Sequence, residues 1–311
     1  MPPSCSPDRP ATRALAALFA GAVAIAFAPI FVRLSELGPS ATAFHRLALA
    51  LPALWLWVWL EQPLHTRVGA RHRLPASRGD FLRLALAGLF FAGDLAVWHW
   101  SINFTSVANA TLLANVAPVF VTLGGWLLFG QRFSGRFLLG LVLALAGAAV
   151  LMGRSLSFGV EQLLGDALGL LAALFYASYI LAVGRLRATF STATIMAWSG
   201  AVTAITLLPV ALLAGESLLP VTAFGWGMLL GLALFSHTCG QSLIAYALAH
   251  LPAAFSSVGL LLQPAVAALL AWWLLAEPLG GWQALGGAVV LAGIVLARRA
   301  SCSPGRDRAG G

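Results

Sequence analysis

The sequence predicts an all-α integral membrane protein, with ten transmembrane helices in two inverted five-helix repeats. Three observations carry that reading. Apolar residues make up 60% of the chain and charged residues 9%, where a soluble domain holds roughly 45–50% and about 25%. So little polar surface cannot cover a fold in water. Ten apolar runs can be marked, over 14–34, 40–60, 82–102, 107–129, 136–152, 164–184, 192–213, 224–246, 253–275 and 281–298. At ~1.5 Å rise per residue each run spans a hydrocarbon core of about 30 Å, and only a helix satisfies its own backbone in lipid. The third observation is a self-match at one fixed offset, with 113–130 lying on 259–276 without a gap. Pro118 falls on Pro264, Trp126 on Trp272 and Leu128 on Leu274. The register continues through Gly135 on Gly281, Gly140 on Gly286 and Ala146-Gly147 on Ala292-Gly293. Such self-similarity precedes any other reading of a fold.

The repeat is inverted because five crossings are an odd number, so the second copy enters the bilayer from the opposite side. Charge agrees. The net charge of +8 comes from arginine alone, there being no lysine. With the N-terminus cytoplasmic, every arginine except Arg33, Arg46 and Arg154 falls in a cytoplasmic segment, as the positive-inside rule requires. Loop 131–135 carries arginine, and its counterpart 277–281 carries none. The basic connection between the second and third helices has as its counterpart 214–223, whose single charge is Glu216. The chain therefore divides into a cytoplasmic tail (1–13), a first repeat (14–153), a linker (154–163), a second repeat (164–299) and a cytoplasmic tail (300–311) expected to be disordered. Both termini are expected to be cytoplasmic.

The first run imitates a signal peptide, with Arg9 and Arg13 ahead of it and Ala26-Phe27-Ala28 at its end. Pro29 would block cleavage there, and the apolar run continues through Ile30-Phe31-Val32, so it reads as an uncleaved first helix. The second carries His45 and Arg46 one to two turns inside its outer end. A guanidinium there could hold a carboxylate or phosphate bidentately, pair with an acid, or snorkel to the interface. The third holds Asp94 near its middle. An ionised Asp at that depth costs roughly 2.5–3.5 kcal/mol on insertion scales, so it should face a cavity or a partner. Proton coupling, binding of a substrate amine and a structural interhelical hydrogen bond all remain open for it. Its repeat counterpart is Gly240, so the acid is not part of the shared skeleton. His99 could relay protons or make a polar contact between helices. Trp98 and Trp100 could offer π-faces to a cargo or belong to the interface belt.

In the fourth run Asn109 and Asn115 precede Pro118, and in the ninth Gln263 precedes Pro264. Amides facing lipid are costly, so these line a cavity or bind neighbouring helices. Proline frees a backbone carbonyl one turn earlier, making Pro118 and Pro264 candidate kinks that expose polar backbone at the midplane. The fifth run spaces Gly140, Ala144 and Ala148 four apart, suited to close helix packing within the monomer or to a homodimer. The sixth contributes Tyr176 and Tyr179. The seventh supplies no candidate residue. The eighth brings His237, Gln241 and Tyr246, with His237 subject to the same two readings as His99. The tenth closes the repeat.

At this point the residues resemble a known family. Paired prolines and tryptophans in the fourth and ninth helices, with the endings AGAAVLMGR and AGIVLARR, are similar to the EamA family of the drug/metabolite transporter (DMT) superfamily. The resemblance runs from about Ala14 to Arg299. It implies that Arg46 is the family's second-helix arginine and Glu277 its glutamate after the ninth helix. Two departures stand: Gln131 where a glutamate is usual, and no tryptophan in the first helix. The resemblance implies transport of amino acids, metabolites or drugs, with nucleotide sugars in some related branches.

The functional expectation is an inner-membrane secondary transporter exporting small molecules by alternating access, with proton coupling through Asp94 as a hypothesis. Inverted repeats place a transporter's site near the midplane where the halves meet. The small-molecule cargo and the lipid bilayer are the expected partners. Nucleic acid is excluded because the arginines fall between apolar runs. There is no HExxH, no GxSxG, no Walker lysine and no CxxC, so neither catalysis nor a cofactor or metal is expected. Cys5, Cys239 and Cys302 read as free thiols. A membrane-embedded enzyme and a non-transporting scaffold are the alternatives.

Overall fold

The computed structural model describes residues 9–65, 72–102, 104–105, 107–152, 162–275 and 280–301. Among them, ten helices are long and apolar enough to cross a membrane. They are α1 (Ala11–Arg33), α2 (Pro39–Gln62), α3 (Arg78–Trp98), α4 (Asn109–Phe129), α5 (Gly135–Met152), α6 (Leu163–Leu186), α7 (Thr192–Leu213), α8 (Ala223–Ala247), α9 (Ala253–Leu274) and α10 (Gly281–Ser301). The α3 helix continues to Ile102. Leucines and tryptophans such as Trp126, Leu127, Leu128, Leu213 and Trp273 stand exposed around the outside. In water that girdle would be an aggregation liability; against acyl chains it costs nothing. The arginines at 154, 306 and 308, Glu277, and the loop arginines 67 and 71 lie outside the described residues.

Packing repeats with the sequence. Helix α3 lies along α6, and α8 lies along α1; α4 rests on α6, and α9 rests on α1; α2 meets α7, and α5 meets α10. Exchanging α1–α5 for α6–α10 in order maps this set of neighbours onto itself. A two-fold relation between the halves therefore passes between α2 and α7 and between α5 and α10.

Both predicted proline positions coincide with breaks in helix. In the fourth crossing the helix runs Val107–Ala114 and then Ala117–Phe129, with Pro118 in the first turn of the second piece. In the ninth it runs Ala253–Gly259 and then Leu262–Leu275, with Pro264 in the same place. Proline has no N–H to give the preceding turn, so each crossing is two half-helices meeting within the membrane. Thr122 donates its hydroxyl to the Pro118 carbonyl at 2.7 Å, and Asn115 turns its amide back to the Thr111 carbonyl at 2.9 Å.

The stripe Gly140, Ala144 and Ala148 is buried against α10, together with Gly147. A Cβ on Gly140 would stand 2.6 Å from the Ala297 nitrogen, and one on Gly147 2.5 Å from the Val290 nitrogen. From the other side, a Cβ on Gly286 would meet the Leu151 nitrogen at 2.6 Å and one on Gly293 the Ala144 nitrogen at 2.5 Å. The two backbones touch, as small residues allow. This face is used inside the monomer.

The loops join across each membrane face. At the arginine-poor face, Glu36 between α1 and α2 accepts from the Val221 and Thr222 N–H groups at 2.8 and 3.1 Å, and from the Thr222 hydroxyl. Glu216 between α7 and α8 accepts from the Ser40 and Ala41 N–H groups at 3.2 and 2.7 Å. Each carboxylate thus caps a helix belonging to the other repeat, where orphan donors and the helix dipole favour negative charge. The Thr222 side chain and backbone donors hold the Glu36 carboxyl below the ordinary glutamate range. A lowered value means the link is complete at neutral pH and is lost only as pH falls through that value. At the arginine-rich face the corresponding loops meet through the Arg73 N–H, which donates to the Thr189 carbonyl at 3.2 Å. The Arg73 guanidinium lies 5.2 Å from the Phe190 ring centroid and bonds Asp80 through both nitrogens, at 2.6 and 2.8 Å.

Candidate functional site

Four helices of the two repeats send polar and aromatic groups into one chamber. Helix α3 supplies Phe91 and Asp94, which a three-residue spacing puts on one helical face. Helix α6 supplies Tyr176 and Tyr179 by the same spacing. Helix α2 supplies Arg46, and α8 supplies His237 and Gln241.

Phe91 is the hub. Its ring stacks on Tyr179 at a centroid distance of 4.7 Å and on His237 at 5.7 Å, and the Arg46 guanidinium lies 6.0 Å from its centroid. Tyr176 stacks in turn on Tyr179 at 6.3 Å. Such aromatic pairs stabilise the packing by about 0.5–1.5 kcal/mol beyond their buried area. They also fix the directions of the polar groups around them. The Gln241 amide lies beside both tyrosine hydroxyls, and the Tyr179 hydroxyl contacts the Met196 sulfur at 3.7 Å.

The charges in this chamber are not neutralised by contact. Arg46 and Asp94 are both half-buried and lie within electrostatic reach of each other. Neither a hydrogen bond nor an ion pair joins them among the described residues. The Arg46 Nε has no hydrogen-bond partner, and His237, fully buried, has none on either ring nitrogen. Buried polar groups are ordinarily satisfied, and an exception needs a reason.

The backbone of α8 is unusual here. From Gly231 to Gln241 it winds as a π-helix, and Thr238 donates its hydroxyl to the Ala233 carbonyl five residues back at 2.8 Å. π-windings are frequent at functional sites. The wound segment holds His237 and Gln241, whereas its counterpart α3 is plain α-helix through Asp94. It is pinned on α1 by close backbone approach: a Cβ on Gly21 would stand 2.8 Å from the Gly240 carbonyl oxygen, and the Ser236 hydroxyl donates to the Ala24 carbonyl at 2.9 Å.

The other sequence candidates lie elsewhere. Trp100 is 54% exposed and faces away from the chamber. Asn115 bonds its own helix, and Gln263 sits half-buried at the α9 break with its Nε2 unpartnered. Asn109 donates to Asp166 at 3.3 Å, beside Thr105 at 2.7 Å, tying α4 and the end of α3 to α6. Tyr246 meets His250 in a tilted ring contact at 4.8 Å, nearer the arginine-rich face. The His99 side chain lies outside the described residues. Phe91 was missed because a phenylalanine in an apolar run carries no signal of its own. Its three-residue spacing from Asp94 is the one available hint. Glu36 was missed for want of any local motif.

Ten crossings, two inverted halves and a polar cluster between them define a membrane transporter of small molecules. Comparison with known proteins says which kind. The EamA-like transporter family matches residues 12–153 and 163–299, and the chain belongs to that family. It is similar to an "Uncharacterized transporter" of Archaeoglobus fulgidus, 28% identical over 275 residues, 86% of this chain and 91% of that one. A "Probable terminal-alkyne amino-acid exporter" of Streptantibioticus cattleyicolor is 30% identical over 295 residues, 91% of this chain and 94% of its own. The pseudopaline exporter of Pseudomonas aeruginosa is 28% identical over 174 residues, 56% of this chain and 60% of its own. A solved crystal structure superposes with a TM-score of 0.78 over 93% of this chain and 98% of that one, at 15% identity, a likeness of fold alone. These names support a role in transport rather than catalysis.

Proposed function

We propose that the protein exports small zwitterionic metabolites, amino acids above all, across a bacterial inner membrane with both termini in the cytoplasm. The observation that carries the reading is the chamber's pair of opposite charges, Arg46 and Asp94, near each other yet unjoined. A cargo bearing both a carboxylate and an ammonium group answers both. The guanidinium takes the carboxylate through two parallel hydrogen bonds, and Asp94 takes the ammonium. The stacked Phe91, Tyr176 and Tyr179 rings offer the cargo's side chain an apolar wall with polar edges. Two relatives named as exporters, one of an amino acid, support this class of cargo.

Coupling follows from the same acid. Asp94 can hold a proton or the cargo's ammonium group, but not both. If loading from one face expels the proton, and the proton arriving from the other face expels the cargo, competition for one carboxylate yields antiport. The broken α4 and α9 helices supply the hinges about which the halves rock, hinge and shear motions being the usual repertoire. Counterflow in proteoliposomes with a matched set (an amino acid, the amine lacking its carboxylate, and the acid lacking its amino group) tests the reading. Only the amino acid is expected to exchange at an appreciable rate. Equal exchange of the amine or the acid would overturn it.

A further inference from the structure

Two loops at the arginine-poor face clasp each other through carboxylates. Glu36 takes the Val221 and Thr222 N–H groups, where the chain enters α8. Glu216 takes the Ser40 and Ala41 N–H groups, the first that α2 can offer after Pro39. Each acid also rests on a glycine of the opposite repeat. A Cβ on Gly225 would stand 2.6 Å from the Glu36 carboxyl carbon, and one on Gly38 2.5 Å from the Glu216 Oε2. Both carboxylates therefore occupy seats from which a methyl group would push them. The clasp belongs to one face only, because the counterpart loops, 187–191 and 63–77, contain neither Asp nor Glu.

Beneath the clasp lies a small apolar layer, separate from the main core. Leu37, Ala41, Ala211 and Leu229 are buried in it, and Trp226 packs against it. The His45 ring meets the Trp226 ring edge-on at a centroid distance of 6.0 Å, and its Nδ1 is held by the Ala41 carbonyl at 2.9 Å. Arg46 is the next residue. Along α2 the order is thus a cap at Ser40 and Ala41, an apolar layer at Ala41 and His45, and then the chamber, all within ~9 Å of helix axis. Helix α8 repeats the order, with Thr222 at the cap, Trp226 and Leu229 in the layer, and His237 and Gln241 in the chamber. The two helices belong to different repeats, so parting them along this line opens the chamber on this side.

A carboxylate accepting from backbone N–H groups makes charge-assisted bonds, but at the water's edge solvent competes for both partners. That strength suits a contact that is made and broken repeatedly, since elements that move are drawn from the less stable parts of a fold. We infer that Glu36 and Glu216 form the latch of a gate. They hold the apolar layer shut over the chamber, and both caps part each time a solute crosses the arginine-poor face. The inference rests on alternating access and not on the nature of the cargo.

The test uses the full chain with Cys5, Cys239 and Cys302 replaced by serine and spin labels on L34C and V221C, two exposed positions flanking the Glu36 link. Double electron–electron resonance in nanodiscs should give one dominant short distance, with a longer, open one below about a tenth of the population. E36Q/E216Q should raise the ratio of open to closed by roughly fivefold. G38A/G225A serves as a second variant: both charges stay while the new methyl groups displace the carboxylates, and the ratio should move the same way. S217A removes a hydroxyl bonded only within its own loop, to the Leu219 carbonyl at 3.2 Å, and should leave the ratio alone. A parent already mostly open, an unchanged ratio in both double variants, or an equal shift in S217A would overturn the latch. Tying L34C to V221C with a short, reducible linker should stop counterflow of whichever solute the protein exchanges, and a reductant should restore it. Undiminished counterflow by fully linked chains would overturn the gate. The distances need no transport, so their failure is distinguishable from failure of the exporter reading.

Discussion

Changing Asp94 to asparagine removes pH-gradient-driven transport while leaving the protein folded in the membrane, and changing Arg46 to glutamine removes binding of the cargo itself. Both variants weaken binding of the cargo, and D94N alone also removes the proton site. The D94N side chain keeps the shape and hydrogen-bonding capacity of the wild-type group but can neither carry a proton nor balance an ammonium group. Accumulation against a gradient is therefore lost. The R46Q side chain lacks the charge that meets the carboxylate. Removing one partner of a desolvated, hydrogen-bonded charge pair costs about 2–5 kcal/mol, a fall in apparent affinity of roughly 30- to 4000-fold at about 1.4 kcal/mol per decade. Proteoliposome uptake with and without an imposed pH gradient separates them. Gradient-driven uptake persisting in D94N would end the coupling role, and an unchanged half-saturation concentration in R46Q would end the carboxylate role.

The largest effect on stability is expected at the contact of α5 with α10. A side chain at Gly147 meets the Val290 nitrogen at 2.5 Å and the Gly286 carbonyl oxygen at 2.8 Å, both backbone atoms. No rotamer escapes a clash at Cβ, so G147L forces two touching helices apart. Overpacking typically costs about 1–3 kcal/mol and occasionally more, and here the neighbouring close approaches at Gly140, Gly286 and Gly293 are lost with it. G147L should abolish the monodisperse detergent-solubilised species or lower its Tm steeply. The control is G227A, where a Cβ meets nothing within 4 Å. Alanine is favoured over glycine inside a helix by about 1 kcal/mol, so that variant should be neutral or stabilising. Equal Tm values for the two would mean that α5 and α10 do not touch as described.

Much of the architecture was legible because lipid leaves a chain few choices. A backbone with no water to bond must be helical, so apolar length alone marks the ten crossings. Odd repeats with opposite loop charge make the inversion readable, and the pairing of α3 with α6 and of α8 with α1 expresses it in space. Prolines at matched positions were visible as symbols in a string, and the breaks before Pro118 and Pro264 follow from the missing N–H. Arg46, Asp94, Tyr179, His237 and Gln241 could each be singled out, since a polar side chain in lipid needs a reason. That they share one chamber could not be read, because facing directions depend on how helices rotate against one another. Trp100 shows the limit: its two-residue offset from Trp98 carries no indication of which face meets lipid. The π-winding of α8 and the reciprocal caps by Glu36 and Glu216 were illegible for a further reason. Both arise from contacts between residues far apart in sequence, and neither leaves a local pattern.

The central claim is that the chamber serves both faces of the membrane in turn. It is tested most directly by placing one cysteine at position 241, in a chain whose own cysteines are serine, and labelling it with a membrane-impermeant reagent in right-side-out and in inside-out vesicles. Labelling from both sides, slowed from each by a saturating amino acid, is the result expected. Labelling from one side only, whatever gradient or solute is supplied, would contradict alternating access through this site.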